Sequence, residues 1–275
     1  MTARPQHSQL IARYGAWALV AGASEGLGAA WARALTARGM NLVLVARRKP
    51  LLDTLADELR RTRGVEVRCL NGDLGMPAFL ANLQASCSTL DLGFIVYNAT
   101  HAPIGPFTSA APEELARVVD VNMRAPMTLL SAFLPAMVSR GRGGVVLMTS
   151  LAGNQGSPNI AAYAASKAFT RVLAEALWYE LRDSEVDVIA CCAGAVRTPG
   201  YSTAAGKNAP GTLDPEEVVE QTLRTLGRRP VVIPGFVNKA AALLMTRLLA
   251  RRTAIRIMAG STTDLASAQQ TKERS

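Results

Sequence analysis

The chain has 275 residues, of which 49% are hydrophobic and 19% are charged, and its formal net charge is +9. This balance excludes an intrinsically disordered chain, because such chains combine low hydrophobicity with high net charge. No apolar run reaches the roughly 18 residues that a membrane-spanning helix needs. The aromatic content of 5% gives no indication of surfaces that stack on bases, so no nucleic-acid partner is expected.

Short apolar runs alternate with segments of helical spacing along most of the chain. Several runs are apolar throughout, which is typical of strands buried on both faces of a sheet. Seven runs are predicted as strands, at residues 17–22, 41–46, 65–70, 92–98, 144–150, 186–192 and 231–235. This alternation predicts an α/β fold with a doubly wound parallel sheet that helices cover on both faces. Ligands of such sheets bind beyond the carboxyl ends of the strands.

A glycine-rich loop follows the first predicted strand, where residues 21–28 read AGASEGLG. Glycines allow a tight turn and let backbone N–H groups approach a phosphate at the start of the next helix. The loop therefore predicts a phosphate site, and the alternative is an ordinary glycine-rich turn. The candidate cofactor-binding residues of this loop are Gly22, Ser24, Gly26, Leu27 and Gly28.

The second predicted strand ends at Ala46 and is followed by Arg47, Arg48 and Lys49. Enzymes that prefer NAD typically carry an acidic residue at the end of this strand, where it holds the ribose 2′-hydroxyl. Guanidinium groups instead match phosphate oxygens, so the 2′-phosphate of NADP is the expected partner. Arg47 is the first candidate and Arg48 the second, and a solvated basic turn is the alternative.

The cysteines and histidines indicate no metal site. Cys69, Cys87, Cys191 and Cys192 form no Cys-x-x-Cys pair, and two histidines are too few for a His-based site. The first 14 residues lack the apolar segment of a signal peptide. We therefore expect free thiols and a reducing, cytoplasmic setting.

Tyr163 and Lys167 form an i, i+4 pair at the start of a predicted helix, so both lie on one helical face. An ammonium group near a phenol favours the phenolate, and Lys167 is therefore expected to lower the pKa of Tyr163. Such a phenol exchanges a proton with a ketone or alcohol oxygen. Ser150 ends the fifth predicted strand and would hydrogen-bond the same oxygen. A surface Tyr/Lys pair is the alternative.

The order of these motifs resembles the classical short-chain dehydrogenase/reductase family over nearly the whole chain. The resemblance implies a single Rossmann-type catalytic domain over residues 14–235. Ser150 lies thirteen residues before Tyr163, which is the family spacing. Residues 14–20 and 38–45 look like the branch with 17β-hydroxysteroid dehydrogenases and very-long-chain 3-oxoacyl-CoA reductases. Further matching motifs are Asp73-Leu74, Asn98-Ala99, Asp120-Val121-Asn122 and Gly194-x-Val196-x-Thr198.

The resemblance implies a role for each matching residue. Tyr163 would be the general acid and a cofactor-binding residue, Lys167 would also bind the nicotinamide ribose, and Ser150 would orient the carbonyl. Asn122 would hold a water in a proton relay behind Lys167. The remaining cofactor-binding positions would be Asp73 and Leu74 at the adenine, Asn98 and Ala99 after the fourth strand, and Val196 and Thr198 at the carboxamide.

Three positions depart from the family pattern: Ala21, Thr100 and Ala193 stand where threonine, glycine and proline are usual. None is a catalytic position. Thr100 would narrow the space near the ribose, so we expect modest effects on cofactor affinity.

The resemblance implies a function: NADP(H)-dependent reduction of a bulky, apolar ketone, either steroid-like or 3-oxoacyl, to a secondary alcohol. One alternative is a secondary alcohol dehydrogenase that works in the oxidative direction with NAD or NADP. Another is a non-catalytic, NADP-binding regulatory protein. A homodimer or homotetramer is expected through helices around residues 112–138 and 161–182.

The later part of the chain contains fewer motifs. Residues 199–212 are rich in Gly, Ala and Pro and are predicted as a mobile substrate lid, with a plain surface loop as the alternative. Residues 102–107 are expected to form another wall of the substrate pocket. A helical extension is predicted over 236–260, and it contains a basic helix over 237–258. This helix is expected to pack on its own domain or on a second subunit, and the alternative is contact with a membrane surface. Residues 261–275 are predicted as a flexible polar tail.

Overall fold

In the computed structural model, residues 5–199 and 209–273 are described, and their side chains are described from 10 to 199 and from 209 to 263. The seven predicted strands form one parallel sheet in the order β3-β2-β1-β4-β5-β6-β7. Their bounds are β1 Trp17–Ala21, β2 Asn41–Ala46, β3 Val67–Asn71, β4 Leu92–Tyr97, β5 Gly143–Ser150, β6 Val186–Ala193 and β7 Val231–Val232. β7 is shorter than predicted because Pro230 and Pro234, which lack an N–H donor, flank it.

Helices cover both faces of this sheet. They are α1 Pro5–Tyr14, α2 Gly26–Thr36, α3 Lys49–Arg63, α4 Pro77–Cys87, α5 Pro112–Val119, α6 Ala125–Arg140, α7 Ala161–Glu180, α8 Pro215–Thr225, α9 Phe236–Leu243 and α10 Arg251–Glu273. Short turns of other helix types occupy Phe107–Ser109, Asp120–Arg124, Leu151–Asn154 and Leu244–Leu248, and the second of these joins α5 to α6.

The core consists of two apolar clusters, one on each face of the sheet. Ala18 and Val20 of β1 point into the cluster that contains Trp31 of α2. Leu19 points to the opposite cluster, which contains Leu129 of α6. Because successive side chains of a strand point to opposite faces, central strands need apolar residues at every position. This confirms the doubly wound arrangement.

The strand order places the loops after β1 and β4 side by side at the carboxyl edge of the sheet. The chain crosses from β3 at one edge to β4 beside β1, so the direction of winding reverses there, where such sheets bind ligands. Asn98 ties the two loops together: its backbone N–H donates to the Ala21 carbonyl at 2.9 Å, and its Nδ2 donates to the Gly22 carbonyl at 2.9 Å.

The C-terminal part differs from its prediction. The single helix predicted over 237–258 is wrong: the structure has α9, a π turn, an extended residue at Leu249 and then α10. α10 also continues to Glu273, where a polar tail is predicted, because alanine and glutamine are good helix formers and polarity alone does not end a helix. Of the predicted lid, residues 200–208 lie outside the described residues. No helix of the described ranges is long and apolar enough to cross a membrane.

Candidate active site

The glycine-rich loop has a backbone that only glycine accommodates. Gly22 and Gly26 have φ values of +85° and +54°, in the left-handed region that favours glycine. A Cβ at Gly22 would lie 2.7 Å from the Ala99 nitrogen, and a Cβ at Gly28 would lie 1.9 Å from the Gly22 carbonyl oxygen. α2 begins at Gly26, and Glu25 at its N-cap makes no side-chain capping hydrogen bond. The helix start therefore offers N–H groups to an anion.

A cavity of about 540 Å³ lies beside this loop. Among the predicted cofactor-binding residues, those lining it are Gly22, Ser24, Gly26, Leu27, Arg47, Arg48, Asp73, Leu74, Asn98, Ala99 and Thr198. Gly28 packs behind the loop, and Val196 is buried where it pairs with Leu213, so neither lines the cavity. That pairing holds the two ends of the predicted lid together.

The two arginines after β2 have different surroundings. Arg48 donates to the Ser24 hydroxyl at 3.1 Å and pairs with the Glu25 carboxylate at 2.7 Å, so it is committed to the glycine loop. Arg47 lines the same cavity and has no ion-pair partner among the described side chains. Its backbone is fixed, because its carbonyl accepts a hydrogen bond from Asn71 Nδ2 at 2.8 Å. Arg47 is therefore the arginine available to an incoming phosphate.

Arg117 lines the cavity although no sequence motif indicates it. Its Nη2 donates to Asp73 Oδ2 at 2.5 Å, while Asp73 Oδ1 accepts the Gly75 backbone N–H at 3.0 Å. Burial raises the pKa of Asp73, but the hydrogen bonds from Gly75 and Arg117 outweigh burial and hold that pKa below its ordinary value. Arg117 lies on α5, far from Asp73 in sequence and outside any motif, so only tertiary structure reveals the contact.

Thr100, which is expected near the ribose, lines the cavity, and the other lining residues outside the predicted cofactor-binding set are Glu25, Ala46, Gly72, His101 and Val121. Most of them are next to a predicted cofactor-binding residue in the sequence, and their place in these loops was the only indication of them in the sequence.

Ser150, Tyr163 and Lys167 come together at the carboxyl end of β5. The Tyr163 phenol and the Ser150 hydroxyl share a hydrogen bond. Lys167 Nζ lies 5.5 Å from the centroid of the Tyr163 ring and donates to the Met148 carbonyl at 3.0 Å. The Thr149 hydroxyl donates to the Lys167 carbonyl at 2.7 Å and thereby fixes α7 to β5. The arrangement holds a protonated phenol beside a second hydroxyl donor and a buried cation.

The pKa of Tyr163 changes in the direction opposite to the prediction. Burial raises it, and the hydrogen bond with Ser150 only partly opposes burial. Burial also lowers the pKa of Lys167, to about 8. The prediction is wrong for these surroundings because burial disfavours the phenolate, and because the ammonium faces the Met148 carbonyl. Tyr163 is therefore protonated at neutral pH, which is the form that a proton donor requires.

Asn122 is buried, and its amide is fully engaged by protein groups. Its Nδ2 donates to the His101 carbonyl at 2.8 Å and to the Ser166 hydroxyl at 2.9 Å, while its Oδ1 accepts the His101 N–H at 2.7 Å. Ser166 in turn donates to the Tyr163 carbonyl at 2.7 Å. Asn122 thus joins the loop after β4 to the start of α7. The predicted relay water at Asn122 stays a prediction.

A second cavity of about 270 Å³ lies at the start of α7, two residues before Tyr163. Its apolar lining includes Pro103, Ile104 and Phe107, from the segment that is predicted to form a pocket wall. The imidazole of His101, which lines the first cavity, pairs with Glu114, which lines the second, at 2.8 Å. This pair lies between the two cavities.

Comparison with known proteins gives one consistent family. The family model described as short chain dehydrogenase matches residues 16–208. A 7beta-hydroxysteroid dehydrogenase of Collinsella aerofaciens is 32% identical over 82% of this chain and 89% of its own length. A very-long-chain 3-oxoacyl-CoA reductase of Pyrenophora tritici-repentis is 32% identical over 78% of this chain and 64% of its own length.

Solved structures agree with these relatives. A structure of a 7beta-hydroxysteroid dehydrogenase has a TM-score of 0.86 at 31% identity, over 90% of this chain and 98% of that chain. A short-chain dehydrogenase from Sphingobium yanoikuyae in complex with NADPH has a TM-score of 0.72 at 33% identity, over 79% and 86% of the two chains. With the ordered motifs and the seven-stranded sheet, these matches confirm that the chain belongs to the short-chain dehydrogenase family of oxidoreductases.

Proposed function

We propose that the chain is an NADP(H)-dependent reductase that converts a bulky, apolar ketone to a secondary alcohol. The observation that carries this proposal is the protonated Tyr163 phenol, hydrogen-bonded to Ser150 and beside Lys167, at the same edge of the sheet as the glycine-loop cavity. Tyr163 would donate its proton to the ketone oxygen, and Ser150 would hold that oxygen by a hydrogen bond. The Lys167 ammonium would stabilise the phenolate that this step leaves behind.

The residues of the first cavity fit a nicotinamide dinucleotide, which supplies the hydride when bound. Gly22 and Gly26 line the cavity, where a Cβ would meet Ala99 or Thr198, and the uncapped start of α2 suits a pyrophosphate. Arg47 would hold the 2′-phosphate and Asp73 the adenine, while Thr198 and Val196 would face the carboxamide. The NADPH complex of the Sphingobium neighbour supports NADP.

The substrate class rests on the second cavity and on the relatives. Pro103, Ile104 and Phe107 offer apolar surface in a cavity that Ala161 and Ala162, the two residues before Tyr163, also line, and the relatives are named for hydroxysteroids and very-long-chain 3-oxoacyl-CoA. A ketone with large apolar groups would therefore gain affinity from this wall. Oxidation of a secondary alcohol would use the same residues in reverse, with the Tyr163 phenolate accepting the proton.

We also propose a cytoplasmic homo-oligomer. Met127 of α6 and Val172 and Tyr179 of α7 are exposed apolar or aromatic side chains within the two segments predicted as subunit contacts. Exposed apolar side chains often mark contacts between proteins. Their presence on α6 and α7 therefore supports a contact between copies of the chain through these two helices.

A panel of ketones of graded size, assayed with NADPH and with NADH, tests the function. We expect NADPH to be oxidised fastest with bulky, apolar ketones and slowly with small ones, and NADH to be the poorer cofactor in every case. Oxidation of secondary alcohols with NAD that is faster than every ketone reduction would contradict the proposal and favour the oxidative alternative.

Arg117→Ala is expected to weaken NADPH and NADH binding equally. The variant frees the Asp73 carboxylate, and because both side chains are partly exposed the loss is about 1 kcal/mol, or roughly fivefold in Kd. Reduced nicotinamide mononucleotide, which has no adenine, should bind unchanged. Arg33→Ala is the matched control, since Arg33 makes a comparable 2.7 Å ion pair with Glu58 away from the cavity. A loss confined to NADPH would instead place Arg117 at the 2′-phosphate.

A further inference from the structure

We propose that the exposed residues of α9, of the π turn after it and of the first half of α10, at residues 236–257, form a docking surface for an anionic lipid bilayer. We call these residues the C-terminal surface. The proposal is independent of the proposed function, because docking needs neither cofactor nor ketone.

The C-terminal surface is strongly basic. Residues 236–257 contain five basic residues, namely Lys239, Arg247, Arg251, Arg252 and Arg256, and no acidic residue. These five positive charges compare with a net charge of +9 for the whole chain. A cluster of this kind attracts anionic lipid.

Four of the five cations of the C-terminal surface make no ion pair within the described part of the fold. Lys239, Arg247, Arg252 and Arg256 are exposed, and none of them has an ion-pair partner among the described residues. Most other arginines of the described ranges pair with a carboxylate, so these four side chains are available to an external anionic group.

α9 exposes its apolar side and buries its polar one. Phe236 is 85% exposed and Leu243 is 57% exposed, and their spacing of seven residues puts them on one side of the helix. Asn238 faces the protein, where its Nδ2 donates to the carbonyls of Gly211 and Pro234 at 3.0 Å each. Leu248 in the π turn is 71% exposed. A helix with this inverted pattern presents an apolar surface to a partner.

The charge and the apolar side chains together favour a bilayer over other partners. Two copies of the surface facing each other would bring many positive charges together without an acidic residue to pair with them. A nucleic acid would satisfy the cations but leave Phe236, Leu243 and Leu248 without contact. The boundary of an anionic bilayer accepts both kinds of side chain, since apolar groups insert among the acyl chains while long basic side chains reach the headgroups.

The C-terminal surface is connected to the catalytic edge of the sheet. Arg251 Nη1 donates to the Asn154 carbonyl at 2.7 Å, and the Ile255 side chain lies against Gly156. Both contacts are made to the segment that directly follows Ser150. If the proposed function also holds, docking would bring the segment after Ser150 close to the lipid phase in which bulky apolar ketones concentrate.

Cosedimentation of the full chain with vesicles tests this proposal. We expect binding to vesicles of phosphatidylcholine with phosphatidylserine, at least tenfold weaker binding to phosphatidylcholine alone, and release by high salt. Phe236→Ser with Leu248→Ser, and separately Arg247→Gln with Arg252→Gln and Arg256→Gln, should each weaken anionic-vesicle binding at least tenfold. Leu51→Ser with Met76→Ser is the matched control, because both side chains are exposed elsewhere.

Wild-type protein that binds neither vesicle, or both equally, would overturn the proposal without needing any variant. Binding to duplex DNA but not to vesicles would overturn it in favour of nucleic acid. A dimer that the Phe236→Ser and Leu248→Ser variant dissociates, with no vesicle binding by the wild type, would overturn it in favour of a second copy. Ketone reduction without vesicles should be unchanged in all variants, so failure of docking is distinguishable from failure of the proposed function.

Discussion

Tyr163→Phe is expected to lower ketone turnover by about 100- to 10,000-fold, the usual contribution of a positioned general acid. The variant removes the hydroxyl that shares a hydrogen bond with Ser150 but keeps the ring beside Lys167. NADPH binding should therefore change by less than about threefold, since one neutral hydrogen bond contributes little. Steady-state turnover and a fluorescence titration of NADPH give the two quantities separately.

Tyr179→Phe is the control for this variant. Tyr179 lies on the same helix, is 61% exposed and is remote from Ser150, so its hydroxyl should not affect turnover. Full activity of Tyr163→Phe would remove Tyr163 as the proton donor. If wild-type protein binds NADPH but reduces no ketone, and Tyr163→Phe behaves identically, the non-catalytic alternative becomes the better account.

Arg47→Ala is expected to weaken NADPH binding by roughly 10- to 100-fold and to leave NADH binding unchanged. A hydrogen bond to a charged group contributes about 1.5–3 kcal/mol, and Arg47 has no described ion-pair partner that would compete for it. Titration of both cofactors against wild type and variant measures the change in preference.

Two further variants separate the phosphate contact from general charge. Arg48→Ala should have a smaller effect, because Arg48 is bound to Ser24 and Glu25. Arg63→Ala removes an exposed cation at the end of α3 and should have none. Equal losses in NADPH binding for all three variants would mean that net charge, and not a 2′-phosphate contact, sets the affinity.

The sheet was predictable because its central strands are buried on both faces. Residues 17–21 and 92–97 need apolar side chains at every position, and the resulting runs are visible in the sequence. The C-terminal helices were less predictable. The break at Leu249 follows from how α9 packs, with Asn238 bound to Gly211 and Pro234, and no local proline or glycine marks it.

The candidate site also has residues that the sequence predicts and residues that only the packed structure reveals. The glycine loop and the Tyr163–Lys167 pair were predictable because one turn or one helix fixes their spacing along the chain. Ser150 was predictable because it ends the fifth predicted strand, thirteen residues before Tyr163. Arg117 was missed because it reaches Asp73 across 44 residues of sequence. The raised pKa of Tyr163 was also missed, since burial and the Lys167 contact with Met148 are properties of the packed structure.

Transfer of a deuterium label from NADPH to a ketone tests the proposed reduction. Wild-type protein would be incubated with NADPH deuterated at the transferring position of the nicotinamide and with a bulky, apolar ketone, and the product analysed by mass spectrometry. The account predicts a secondary alcohol with one deuterium on the carbinol carbon, at a level that falls at least 100-fold with Tyr163→Phe. Tight NADPH binding by the wild type without any deuterated alcohol from the ketone panel would contradict the account.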